Sequence, residues 1–149
     1  MGMKKVDFLS DSIIRKDGKL IKLLGGSTWL LSLPTLALVT DDVIIVFEKI
    51  VLEKNKTIEI ASVYVDGDRI TATHVDGRYI TDSGLITTVV ESLDDGAVLK
   101  LIDGSALSIP SYDRYDTGWW LPPYKALLTS NGFYLWNLKK AKRVWVNIR

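Results

Sequence analysis

Apolar and polar residues alternate along this chain in short runs, and nearly every run ends at a Gly, Asn or Asp. No window long enough to matter carries the 3.6-residue period of an amphipathic helix, so the pattern predicts strands and tight turns. An initial strand is expected within residues 1–16, around Val6, Phe8, Leu9, Ile13 and Ile14. Lys19–Leu24 and Thr28–Leu33 follow around the Gly25-Gly26 turn. Leu36–Val39 reads as a further strand after Pro34 and ends at Thr40-Asp41-Asp42. Val43–Phe47 is a continuous β-branched and aromatic run, which predicts a strand covered on both faces. Ile50–Glu53 and Thr57–Ile60 flank a Lys54-Asn55-Lys56 hairpin turn. Apolar positions then change phase, from Ile58 and Ile60 to Val63 and Val65, which predicts a β-bulge near Ala61-Ser62. Val65-Asp66-Gly67 and Val75-Asp76-Gly77 repeat a turn signal and predict a meander of short strands. Ile86–Val90, Phe133–Leu138 and Val144–Ile148 complete the set, with a hairpin at Asn131-Gly132 and a turn after Lys139.

The pattern also repeats. Asp17-Gly18-Lys19-Leu20-Ile21-Lys22-Leu23-Leu24-Gly25-Gly26-Ser27 returns as Asp95-Gly96-Ala97-Val98-Leu99-Lys100-Leu101-Ile102-Asp103-Gly104-Ser105, 78 positions later. Each copy reads as turn, strand, turn, with Asp-Gly supplying a positive φ and Gly-Ser closing the unit. A shift of 89 aligns Pro34 with Pro123, Ala37 with Ala126, Leu38 with Leu127 and Thr40 with Thr129. The second copy then carries eleven extra residues within Ser111–Trp120. Five or six short antiparallel strands per copy suit a small closed barrel, because closure removes exposed edges.

In the second copy the pieces are Ile102-Asp103-Gly104-Ser105, Trp119-Trp120-Leu121-Pro122, Lys125–Leu128 and Lys142–Ile148. They resemble small SH3-like β-barrel proteins of uncharacterised bacterial families. That resemblance implies a fold and no activity. The expected fold is therefore all-β, with two related SH3-like small barrels in tandem, a first half over 1–85 and a second over 86–149. One larger β-barrel or sandwich formed jointly is the alternative.

Composition fits a globular chain: 47% apolar, 25% charged and no cysteine. Disulfides and thiolate metal sites are excluded, and a reducing cytoplasm suits such a composition. The uncharged segment Leu23–Val39 is interrupted by Gly25, Gly26, Ser27, Thr28, Ser32, Pro34 and Thr35, and so reads as buried strands and not as a membrane span. The net charge of +1 is unevenly spread. Residues 1–116 hold all 18 acids and 13 bases, whereas residues 117–149 hold six bases and no acid.

Aromatics concentrate in the same region, with nine of the fourteen in residues 111–149. Within the 111–124 insertion, Tyr112, Arg114, Tyr115, Trp119, Trp120 and Tyr124 are the candidate ligand or partner surface, since aromatics and Arg give large rigid contact areas with polar handles. Lys139, Lys140, Lys142 and Arg143, with Arg149 beyond them, lie near Tyr134, Trp136 and Trp145 and form an alternative nucleic-acid surface. His74 is the single histidine and has no companions at metal-ligand spacing. No nucleophile elbow, phosphate loop or dinucleotide fingerprint occurs, so no catalytic residue, metal or cofactor is assigned. The expected function is a non-enzymatic binding or protein-interaction module using 111–124, with a small ligand or a protein as partner. A mean hydropathy of +0.14 and the charge contrast between the ends further predict a homodimer.

The repeat makes Lys22 and Lys100 outward-facing and Leu101 a core residue. Leu101→Ala should therefore cost about 2–5 kcal/mol in chemical denaturation. A loss below about 0.5 kcal/mol would mark an exposed site instead.

Overall fold

The computed structural model describes residues 3–148, so Arg149 of the basic C-terminal group lies outside the described residues. The fold is all-β. Its strands are β1 (Lys4–Asp17), β2 (Leu20–Leu23), β3 (Thr28–Leu31), β4 (Asp42–Val51), β5 (Thr57–Val65), β6 (Asp68–Asp76), β7 (Asp82–Leu93), β8 (Val98–Leu101), β9 (Ala106–Ser108), β10 (Tyr124–Thr129), β11 (Tyr134–Asn137), β12 (Lys142–Trp145) and β13 (Asn147–Ile148). One helical turn, α1 (Arg114–Thr117), follows a 3₁₀ turn at Ser111–Asp113. The chain divides into two compact units. The N-terminal unit is Val6–Asp82 with Lys139–Ala141, and the C-terminal unit takes Ser83–Leu138, Lys142 onward and the residues before Val6.

In the N-terminal unit the strands pair in the order β1-β2-β3-β6-β5-β4, and β4 returns to β1, closing a six-strand barrel. Strand β1 makes closure feasible by serving two neighbours in succession. Its Asp7–Ser12 stretch lies opposite Phe47–Asp42, and its Ile13–Asp17 stretch lies opposite Leu23–Leu20. A register shift between Ile13 and Arg15 bends the strand where it changes partner. Alternation then fills the interior: Ile21, Leu23, Trp29, Leu31, Val43, Ile45 and Val63 are buried in one cluster, while Lys22 points outward. Val43 to Val46 are all buried, so both faces of β4 are covered there.

In the C-terminal unit the order is β9-β8-β7-β10-β11-β12, and β13 pairs with β9. Strand β7 lies opposite β10 through Gly84–Val89 and opposite β8 from Val89 onward, with a register shift between Val89 and Glu91. Leu99, Leu101, Leu107, Ile109, Ala126, Leu135 and Val144 form its core, and Lys100 points outward. The corner turns of the two units match bond for bond. Leu23 N–H donates to the Ser27 carbonyl and Gly26 N–H to the Leu23 carbonyl, both at 2.9 Å. Leu101 N–H donates to Ser105 and Gly104 N–H to Leu101, also at 2.9 Å.

Four details differ from the sequence reading. Leu36–Val39 is not a strand. Thr35 Oγ1 accepts from Ala37 N–H, Asp41 Oδ2 accepts from Leu38 N–H and Lys16 Nζ donates to the Ala37 carbonyl, so local side-chain bonds replace a ladder. Strand β4 runs unbroken to Val51, joining two segments expected to be separate. There is no bulge at Ala61-Ser62, because β4 and β5 keep one register from Ile44 opposite Tyr64 to Val51 opposite Thr57. The phase change instead marks apolar residues that switch to the face opposite the barrel core. Asp76-Gly77 ends β6 without starting a hairpin. Gly77 has φ 80°, and its α-carbon lies against the Gly26-Ser27 backbone.

That close approach leaves no room for a β-carbon. Gly77→Ala should lose more than about 1 kcal/mol, from the positive φ and the clash with the Gly26 carbonyl together. Gly104, at φ 90° with nothing within 4 Å of an added β-carbon, isolates the φ contribution. Equal losses for Gly77→Ala and Gly104→Ala in urea unfolding would show that crowding plays no part.

Candidate functional site

The connection from β9 to β10 carries the aromatic insertion, and three polar contacts within the C-terminal unit fix it in place. Thr117 is fully buried and its Oγ1 donates to the Gly96 carbonyl at 2.8 Å, tying α1 to the β7–β8 turn. Gly96, at φ 89°, leaves no space for a side chain beside Thr117 and Gly118. Arg114 Nε donates to the Ile109 carbonyl at 2.9 Å, bracing the start of α1 against the end of β9. Asp113 Oδ2 accepts from Trp145 N–H at 2.8 Å, joining the insertion to β12. Arg114 thus has a structural contact of its own, although its residue remains exposed.

This tethering turns three of the named aromatics outward. Tyr112, Tyr115 and Trp119 are 69, 80 and 74% exposed. The other two are core residues. Trp120 is buried and meets Tyr124 edge-on, with ring centroids 5.8 Å apart. Tyr124 begins β10 on its inward face, in phase with Ala126 and Leu128. Trp120 and Tyr124 therefore belong to the core and not to the exposed candidate surface, and the ladder with β7 dictates that Tyr124 points inward. Burial pushes the Tyr124 phenol well above its ordinary pKa, and its hydroxyl finds no hydrogen-bond partner among the described residues.

The basic residues divide between the units. Lys139 and Lys140 group with the N-terminal unit, and Lys142 and Arg143 belong to β12 of the C-terminal one. All four are exposed. The Arg143 guanidinium lies 4.2 Å from the Tyr134 ring centre and 5.9 Å from that of Trp136, a cation–π arrangement. Trp145 packs against Tyr134 with centroids 4.2 Å apart, and Phe133 lies beyond at 6.4 Å. Tyr134, Trp136, Arg143 and Trp145 share one face of the β11–β12 hairpin, since Tyr134 opposes Trp145 and Trp136 opposes Arg143. Through Asp113, the insertion is joined to this hairpin at the Trp145 backbone.

Sequence reasoning missed a second aromatic group, in the N-terminal unit. Tyr79 stacks on Phe47 with planes 4° apart, and it also contacts Trp29 and His74. Trp29 and Phe47 are buried, whereas His74 is exposed on β6 with its ring nitrogen bonded to the Gly77 carbonyl. The hairpin expected at Asp76-Gly77 hid Tyr79, because a strand there would have carried it away from the barrel end. Among the described residues, no three His, Asp or Glu side chains gather where they could hold a metal ion. No helix among them is long and apolar enough to cross a membrane.

Comparison with protein-family models, curated proteins and solved structures finds no match. Any functional reading therefore rests on this geometry.

The Tyr124 hydroxyl supplies a direct check on the buried side of the insertion. Tyr124→Phe removes an unpaired buried polar group without changing the ring, and should raise stability by about 1 kcal/mol in thermal or urea unfolding. A loss of that size would show that the hydroxyl is hydrogen-bonded in solution.

Proposed function

We propose that the protein is a non-enzymatic interaction module built from two related SH3-like small barrels in tandem, and that the second barrel binds a protein partner through its insertion. The tandem reading is supported by strand pairing. Ile13 opposes Leu23 and Val89 opposes Leu101. Leu20 opposes Leu30 and Val98 opposes Ser108. Val63 opposes Ile70 and Leu135 opposes Val144. The return strand agrees as well. Trp29 opposes His74 at the β3–β6 closure, and Leu107 opposes Ile148 at the β9–β13 pairing. In this reading β12 and β13 are the two halves of one strand that does the work of β6.

One observation carries the binding proposal: Tyr112, Tyr115 and Trp119 stand exposed on a short segment anchored by Thr117, Arg114 and Asp113. Large aromatics held rigidly in water lose little conformational freedom on binding, and burying them is favourable. Asp113 and Asp116 make this segment a poor site for a polyanion, which favours a polypeptide. The Arg143, Tyr134 and Trp145 face, with Lys142 beside it, supports the alternative of single-stranded nucleic acid, where bases would stack on Trp145 and Phe133.

A displayed peptide library selected on the folded protein tests the first reading. The wild type should enrich a related set of peptides, and the Tyr115→Ala/Trp119→Ala variant should bind them about tenfold or more weakly, the loss expected for hot-spot aromatics. Enriched peptides that bind both proteins equally would remove the insertion from the interface. Oligo(dT) anisotropy at low salt tests the alternative. Binding that falls steeply with salt and disappears on Lys140→Glu/Lys142→Glu would support it, and no binding at low salt would end it.

A further inference from the structure

The β4–β5 hairpin is longer than its barrel requires. Pairing of β1 with β4 ends at Asp7 opposite Phe47, and pairing of β5 with β6 begins at Ala61 opposite Ala72. Between these points the ladder that joins β4 to β5 continues, through Glu48–Ile60, Lys49–Glu59, Ile50–Ile58 and Val51–Thr57. The corresponding β10–β11 hairpin of the C-terminal unit has no such extension: its ladder spans Ala126–Leu128, and the chain turns at Thr129–Tyr134. The extra pairs form a two-stranded arm capped by a tight turn at Glu53–Asn55, where Lys54 and Asn55 both have positive φ.

A two-stranded ribbon is marginally stable in water, and this one has open edges. Leu52 N–H donates to the Lys56 carbonyl at 2.6 Å, which fixes the phase of the antiparallel ladder. The backbone groups of Ile50 and Ile58 then point into the arm, and those of Lys49 and Val51 point out from its β4 edge. Ile50, Leu52 and Ile58 share one face of the arm, and each is more than a third exposed. Val51, on the other face, is 71% exposed. These side chains are not needed for the barrel core, which lies on the odd-numbered face of β4 at Val43, Ile45 and Phe47.

We propose that the arm is a dimerisation element and that its occupant is the same arm of a second copy, added edge to edge along β4. Charge selects this occupant. The arm carries Glu48, Glu53 and Glu59 against Lys49, Lys54 and Lys56, so two arms neither attract a polyanion nor repel each other. An antiparallel two-fold pairing with Val51 opposite its own copy places Ile50 opposite Leu52 and brings Lys49 alongside the turn residue Glu53. It pairs the outward backbone groups of Val51 in both chains and joins two ribbons into a four-stranded sheet. The arm lies apart in sequence from the aromatic insertion, so each surface can be tested without the other.

Sedimentation velocity on the full chain at micromolar concentrations tests this proposal. The wild type should sediment as a dimer of twice the 16.7 kDa chain mass. Val51→Pro removes an outward N–H while sparing the inward ladder, and should weaken the dimer about tenfold or more. A second variant joins Glu48 to Ile60 through an Asn-Gly turn, giving a hairpin as short as β10–β11. It should be a folded monomer by circular dichroism. Trp119→Ala should remain dimeric. A monomeric wild type, or a dimer that survives the shortened arm, would overturn the proposal. Loss of the dimer on Trp119→Ala with both arm variants still dimeric would move the interface to the insertion.

Discussion

A small barrel closes only if one strand can bend far enough to serve two neighbours, and the bulge in β1 is the feature on which the N-terminal barrel depends. Without the register shift at Ile14, the stretch paired with β4 and the stretch paired with β2 would lie on one straight line and the ring would stay open. The bulge also keeps side chains in phase. Leu9 and Ile13 lie on the interior face of the first stretch, Ile13 sits beside Leu23, and Ile14 is released to solvent. In β7 the shift between Val89 and Glu91 has the same effect, with Val90 turned outward.

The corner turns hold the next strands to this bend. Gly26 and Gly104 supply positive φ where β2 turns into β3 and β8 into β9, and identical backbone bonds close both corners. Each corner is then put to a different use. Gly26 receives Gly77, so the end of β6 is folded down and Tyr79 is carried over Phe47 and Trp29. In the C-terminal unit Gly96, in the turn before β8, is crowded and receives Thr117 of the insertion. Gly77 and Gly96 thus help to decide where the irregular segments lie, and with them which aromatics face solvent.

Additions to the two units differ in kind. The C-terminal unit is extended by a connection that buries Trp120 and exposes Tyr112, Tyr115 and Trp119. The N-terminal unit is extended by lengthening a hairpin, which exposes strand edges and aliphatic side chains. Aromatics on a braced turn suit recognition of a different molecule, because they bring area and polar handles at little entropic cost. In the proposed dimer the open edges supply main-chain affinity, and the mixed charges of the two arms select the like strand.

Local chemistry made much of this legible in the amino-acid order. The turns at Gly18, Gly26, Gly67, Gly104 and Gly132 follow from residues that tolerate positive φ. The alternation of Ile21, Lys22 and Leu23, and of Leu99, Lys100 and Leu101, follows from the two-residue period of a strand. Other features depended on partners far along the chain. Leu36–Val39 has the composition of a strand, yet Thr35, Asp41 and Lys16 take its backbone groups. Ile58 and Ile60 look like a bulge because one-dimensional alternation cannot say which face a strand presents beyond the end of its neighbour. Trp119 and Trp120 are adjacent and chemically alike, and the amino-acid order alone cannot choose between them. The docking of Thr117 on Gly96 and the register of β10 on β7 make that choice, sending one ring into the core and the other into water. Period and turn chemistry are properties of neighbouring residues and can be read in order. Burial is a property of what else arrives, and only the closed tertiary structure supplies it.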